Sequence, residues 1–223
     1  MRIEDFITTF REAMGDVTDP PFWSSDEIVK YLNAAVQEAC ERAFLIEDRM
    51  TPAVCSIPVL PGIAAYDLHA SVLQIKRVAL RGCPLDETSF EAMDDESRNW
   101  ESRQGAPRRF IFEQASGAAP ARIRLVSVPA QADTLALTVY RGALRKLSAD
   151  MDMATPEIPE RFHELLLHWM YRCAKLKNDA ETVDKTSAAE HEAIFERAFG
   201  ARPDANVQRK QRDKQPPIVQ CSW

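Results

Sequence analysis

The sequence predicts an α+β fold: a four-helix bundle built from N- and C-terminal helices, an inserted antiparallel β-sheet or sandwich, and an extended C-terminal tail. Three observations predict it. Apolar residues recur at helical spacing over residues 1–50 and again over 146–201. Between residues 51 and 145 the period shortens to alternation, with Pro and Gly recurring between the alternating runs. From Arg202 onward the composition turns basic and then Pro-rich, with no apolar period. A chain of 223 residues buries roughly 70–75% of its unfolded surface on folding, so its core needs neither disulfides nor metal.

The first 50 residues supply two helices. Ile3, Phe6, Ile7, Phe10 and Met14 share one helical face, and Gly15 stands where a left-handed C-terminal cap belongs. An Asp19-Pro20-Pro21 turn follows. Ser24 and Glu27 then have the S-x-x-E spacing of a capping box, in which each side chain satisfies an orphan backbone N–H. Trp23, just before the cap, is placed to staple onto Ile28. Ile28, Leu32, Ala35, Val36, Ala39 and Ala43 line the buried face of that second helix.

Residues 51–145 read as a β domain. Ala53, Cys55, Ile57 and Val59 fall on one side of an extended chain, as do Leu135, Leu137 and Val139. Arg109–Phe112 and Arg122–Val126 are further short strands. The stretch from Ser89 to Ser97 lacks alternation and predicts a brief helix. Helical spacing returns after the TPEIP segment, with Pro159 expected in a first helical turn, where its missing N–H costs nothing. Phe162, Leu165, Leu166, Trp169, Met170, Cys173 and Ala174 form a broad apolar stripe. Asn178–Asp179 breaks that helix, Asp179 or Thr182 caps the next, and Ile194, Phe195 and Ala198 point it inward until Gly200 stops it. Two helices before the β block and two after it predict the bundle.

Charge and motifs narrow the chemistry. Lys plus Arg number 28 against 34 Asp plus Glu, a net charge of -6, which argues against a protein whose whole surface grips nucleic acid. No run of about 18 apolar residues occurs, so no membrane span is expected. The acidic N-terminus lacks the basic-then-apolar order of a secretory signal, so a cytoplasmic chain is expected. Cys40, Cys55, Cys83, Cys173 and Cys221 form no CxxC pair; reduced core cysteines are expected, with Cys221 in the polar tail the exception.

The nearest approach to a catalytic motif is HELLLH, from His163 to His168. A zinc peptidase needs histidines four apart, because residues at that spacing lie about 40° apart around a helix and can share one metal. A spacing of five rotates the rings about 140° apart, so two histidines on different helix faces is the better account. His191 and Glu192 form no wider pattern. Phosphate-loop, dinucleotide and nucleophile-elbow motifs are absent, and the 7 glycines are scattered singly. Acid pairs such as Asp94–Asp95 and Asp150/Asp152 read as solvated loop charges. No enzyme, metal or cofactor is expected.

The tail, residues 202–223, reads differently. VQRKQRDK places Arg209, Lys210, Arg212 and Lys214 against Asp213, and QPPIVQCSW follows. Pro216 and Pro217 favour an extended chain. Ile218, Val219 and Trp223 are apolar anchors of a kind that disordered tails usually lack. An extended strap of this character orders on docking to a partner's groove or sheet edge.

WSSDEIVKYLNAAV near the N-terminus, the apolar–basic alternation of Val72–Leu80, GAPRRF before a late strand, LVSVPAQADTLALTVYRG, and the run from PEIPERF to RAFG occur in an order that resembles the phage head-to-tail adaptor proteins. These neck components are also described as connectors or tail tubular components, and the similar stretches span most of residues 22–200. The resemblance implies a non-enzymatic ring component, usually dodecameric, docked beneath the portal vertex of a filled capsid. The implied partners are the portal protein, neighbouring copies of the chain and a downstream tail or nozzle protein, with double-stranded DNA passing through the lumen. The implied location is the virion neck, assembled in the host bacterial cytoplasm. In position and character the tail matches the family's portal-reaching extension, which makes Arg209, Lys210, Arg212, Lys214, Pro216, Pro217, Ile218, Val219 and Trp223 the expected portal-binding residues. The competing expectation is a DNA-binding packaging or regulatory protein that uses the basic arm on phosphates.

Overall fold

A computed structural model of the protein describes residues 1–115, 119–177, 183–202 and 204. Its helices are α1 (Ile3–Met14), α2 (Ser25–Ala43), α3 (Pro52–Cys55), α4 (Phe90–Glu96), α5 (His163–Lys175) and α6 (Lys185–Phe199). Its first strands are β1 (Ile46–Asp48), β2 (Ser56–Val59), β3 (Ala65–Asp67), β4 (Val72–Leu80), β5 (Cys83–Pro84) and β6 (Asp86–Thr88). The later ones are β7 (Gln104–Gly105), β8 (Arg109–Glu113), β9 (Arg122–Val126), β10 (Val128–Pro129) and β11 (Asp133–Arg141). The fold is mixed α+β. Residues 1–46 and 141–202 form one compact unit, and residues 47–140 lie in a second.

In the helical unit, α5 packs on α2 and α6, while α1 packs on α2 and α5. Ile3, Phe6, Phe10, Ile28, Leu32, Leu166, Met170 and Phe195 are fully buried. Gly15 ends α1 at φ +69°, the left-handed conformation that costs glycine nothing. Ser24 caps α2, its Oγ accepting the Glu27 N–H at 3.2 Å. The capping box is only half formed, because the Glu27 carboxylate instead accepts from Tyr31 Oη at 2.7 Å and Lys177 Nζ at 3.0 Å. Trp23 is buried, its ring 5.7 Å from that of Phe10 and 4.7 Å from that of Phe22.

The C-terminal helices differ from expectation in phase. Pro159 precedes a short 3₁₀ turn over Glu160–Phe162, and α5 begins only at His163. Leu167 is buried where Leu165 is half-buried. Helix α6 starts at the Asp184 cap, whose carboxylate accepts the Ser187 N–H at 3.0 Å; Asn178, Asp179 and Thr182 lie outside the described residues. Ala188, Phe195 and Phe199 face inward, whereas Ile194 and Ala198 are exposed. The reason is helical geometry: positions 188, 195 and 199 fall in one stripe, and the two large rings take the core places.

The second unit holds a sheet in the order β1-β11-β4-β5 with β2 also on β11, a sheet in the order β3-β9-β8-β6, and a β7–β10 pair. Most strand pairings are antiparallel, Leu135 facing Ile57 and Ile111 facing Arg124 among them. Two are parallel, β6 with β8 and β7 with β10. A parallel partner needs a crossover rather than a hairpin, and the segment carrying α4 and the Trp100–Ser102 turn supplies one between β6 and β8. Phe110 points into the main β core with Ile123, Leu125, Leu135, Leu137 and Val139. Its neighbour Ile111 points into a second cluster with Met93, Trp100 and Val126. Strand β8 is therefore buried on both faces, the usual condition of a parallel-paired strand.

One predicted strand is shorter than expected. Residues 52–55 form the α3 turn, which leaves Ala53 exposed and Val54 buried, and extended structure begins at Ser56. Asp48 Oδ1 accepts the N–H groups of Met50 and Thr51 at 2.9 and 3.1 Å, and Pro52 preorganises the turn. Arg81 and Gly82, at φ +52° and +79°, make the two-residue turn between β4 and β5. Cys40 and Cys55 are buried and Cys173 is half-buried, as expected for core thiols, but Cys83 is exposed on a short edge strand. Cys221 lies outside the described residues.

The phase of α6 makes a sharp mutational contrast. Phe195→Ala should lower the stability of the helical unit by about 3–5 kcal/mol, whereas Ile194→Ala should change it by no more than about 0.5 kcal/mol. Urea unfolding followed by far-UV circular dichroism measures both; equal effects would mean the stripe is misplaced.

Candidate interaction sites

The nine predicted portal-binding residues, Arg209, Lys210, Arg212, Lys214, Pro216, Pro217, Ile218, Val219 and Trp223, all lie outside the described residues. The structure instead brings together groups that spacing alone did not link.

The two histidines of HELLLH serve different neighbours. His163 is buried, its Nε2 lying 3.0 Å from the Ile158 carbonyl and its Nδ1 3.0 Å from the Met1 amine. His168 turns the other way, its Nδ1 lying 3.0 Å from Nδ1 of His191 on α6. Among the described residues no three His, Cys, Asp or Glu side chains gather as metal ligands. The His pair continues into an aromatic stack: Tyr171 lies 5.2 Å from His191 and 5.8 Å from Phe10, ring centre to ring centre. Burial is the main force lowering the pKa of both histidines. The neighbouring His191 lowers that of His168 further, while for His191 the charge of Glu190 opposes and that of Lys175 assists. At a 3.0 Å nitrogen separation, one proton can bridge the rings, but two protons repel.

Several cations among the described residues are matched to acids. In the β unit Lys76 meets Glu47 at 2.6 Å, while Arg81–Asp133, Arg122–Asp67 and Arg124–Glu113 each lie at 2.5 Å. Arg109 pairs with Glu96. Each exposed pair contributes little stability, about 0–1 kcal/mol. Their effect is electrostatic and local: each acid reduces the positive field of the cation beside it.

Two deeper pairs organise the helical unit. Arg141, almost fully buried, is ion-paired to Glu157 and donates to the Gly142 carbonyl at 3.0 Å. Glu157 also accepts the Leu144 N–H at 2.9 Å. On α2, Arg42 and Glu38 pair at 2.8 Å with little solvent access. Asn33 adds a clamp of its own. Its Nδ2 donates to the Leu147 carbonyl at 2.8 Å and its Oδ1 accepts the Leu147 N–H at 2.9 Å, pinning the 143–149 segment to α2. Between them lies a groove of about 590 Å³, with Lys30, Arg145 and Lys146 on its walls. Nothing in the spacing of Asn33 and Leu147 announces this clamp, because its partners are 114 positions apart.

The SU10 adaptor protein family model matches residues 1–220. The chain belongs to that family. It is a phage head–tail adaptor family, so membership supports an adaptor role in a bacteriophage and implies a virion neck component rather than an enzyme. It also implies interaction with portal and tail proteins. A comparison with curated proteins returns no match. Among the described residues no helix is long and apolar enough to cross a membrane.

The histidine pair gives this adaptor a defined pH response. Because both folded pKa values lie below the ordinary 6.5, the unfolded chain binds more protons in the window beneath that value. Stability contributed by the neutral pair is therefore lost as pH falls through about 6.5 toward the depressed folded values. His163, lowered chiefly by burial, acts in the same direction. Thermal melts across about pH 7.5 to 5.5 should show a falling Tm, and His191→Gln should reduce that fall by removing one titrating group and its repulsion. A variant with an unchanged pH slope would remove the pair from this account.

Proposed function

We propose that the chain is a structural adaptor of a phage neck, forming a ring that docks onto the portal vertex and joins the capsid to the tail, with double-stranded DNA passing through the lumen. The observation that carries this reading is the family match over residues 1–220. In this reading the four long helices act as the bundle that builds the ring, and residues 51–145 form the inserted β domain that faces neighbouring copies or the downstream tail or nozzle protein. The ring is a dodecamer, assembled in the host cytoplasm and carried in the virion. Residues 202–223 are the partner-binding tail.

The chemistry of the tail supports its part. Arg209, Lys210, Arg212 and Lys214 suit an acidic partner surface, while Pro216, Pro217, Ile218, Val219 and Trp223 suit an apolar groove entered by an extended strand. Modest affinity per copy is enough, because copies linked in a ring bind with an avidity that exceeds the single-site affinity by orders of magnitude. The paired charges of the β unit suit a component that lets DNA pass without holding it.

Deleting Gln215–Trp223 should leave a folded, soluble protomer that no longer joins portal particles. Negative-stain microscopy of portal particles mixed with the full-length or truncated chain tests this, and undiminished ring attachment by the truncated chain refutes the strap. If the basic arm instead serves a DNA-binding packaging or regulatory protein, duplex affinity will fall steeply with salt, with a slope set by the phosphates neutralised.

A further inference from the structure

We propose that Glu38 and Arg42 form a positioning clasp that fixes where the chain leaves α6 on its way to the C-terminal tail. The Arg42 side chain is only 2% exposed and that of Glu38 9%. All three guanidinium nitrogens are engaged. Nε and Nη2 meet Glu38 Oε1 at 2.9 and 2.8 Å, and Nη1 donates to the Gly200 carbonyl at 3.2 Å. The guanidinium carbon lies 5.1 Å from the Trp169 ring centre and 5.3 Å from that of Phe195, so rings from α5 and α6 hold the cation. Arg202 Nε approaches the same Glu38 oxygen at 3.6 Å.

This arrangement does something an apolar core residue cannot. A buried ion pair adds little net stability over well-packed apolar side chains, but its hydrogen bonds have direction. The last carbonyls of a helix lack intrahelical partners and favour a nearby cation. Arg42 supplies both donor and charge to the residue just past α6, and Arg202 extends the tie beyond it. Chain ends are poorly ordered unless tied down; the clasp carries order past Phe199 to Arg202. A tail rooted at a fixed point has less freedom to lose on docking. The clasp's use rests on the portal-binding role proposed for the tail; its geometry does not.

The test uses the full-length chain. Backbone ¹⁵N relaxation should give Ala201 and Arg202 order parameters near about 0.85, falling below about 0.6 in Glu38→Gln/Arg42→Met while the Phe195 and Phe199 amides stay rigid. Arg42→Lys, which keeps a charge over the rings but cannot span both acceptors, should loosen the same residues and serves if the double variant does not fold. Unchanged order at Ala201 and Arg202 in a folded variant, or flexible values already in the native chain, overturns the clasp. Portal binding separates the two ideas. If deletion of Gln215–Trp223 has no effect on capture, the tail reading fails whatever the relaxation data show. If deletion abolishes capture, the clasp variants should weaken binding per strap about thirtyfold, the cost of reordering the backbone of the two residues Ala201 and Arg202; full native affinity would remove the clasp's positioning role.

Discussion

The helical unit depends on packing between α2 and α5, helices from opposite ends of the chain. Residues 47–140 intervene before the second half of that unit begins. Closing so long an excursion has an entropic cost, though it grows only slowly with length, and the closing contacts must outweigh it. They do so in two ways. Ile28, Leu32, Ala35 and Ala39 of α2 are fully buried, as are Leu166, Met170 and Ala174 of α5, so the apolar stripes from both halves end in one core. Polar groups then select the register. Lys177 reaches Glu27 at 3.0 Å, and Asn33 grips both backbone groups of Leu147. Apolar burial supplies most of the free energy, while the directional bonds decide which alignment is kept.

The same division of labour recurs around charge. Five cations of the β unit sit beside acids, whereas two buried guanidinium groups are used where a backbone carbonyl must be held. Arg141 serves Gly142, and Arg42 serves Gly200. Both lie at places where the chain changes course, Arg141 at the return to the helical unit and Gly200 just beyond the last helix. A side chain that combines charge with forked donors suits such corners better than a single ammonium does. An adaptor joining larger assemblies gains from this economy of motion, since any disorder left in its contact segments must be removed on docking.

Helix phase and residue type carried most of what was readable in advance. The Gly15 stop, the Ser24 cap, the α4 helix behind Ser89, and strands β8, β9 and β11 all follow from local chemistry, because their determinants lie within a few residues of one another. The expectations that failed each involved a choice between near-equivalent local options. Ala53 to Val59 alternates well enough for a strand, but Asp48 captures the preceding N–H groups and winds the first residues into a turn. Ile194 and Phe195 are both apolar neighbours on one helix, and only the partner α5 decides that Phe195 goes in. The parallel pairing of β6 with β8 depends on where a crossover segment lands.

The amino-acid sequence alone determined most of the long helices and strands, their order and the family resemblance, because spacing, caps and turn residues act over short stretches that any window of chain displays. Tertiary structure alone decided which side chains meet: His168 with His191, Glu27 with Lys177, Arg42 with Gly200. Those encounters join residues far apart along the chain, and no local preference encodes a distance that exists only after the core has closed.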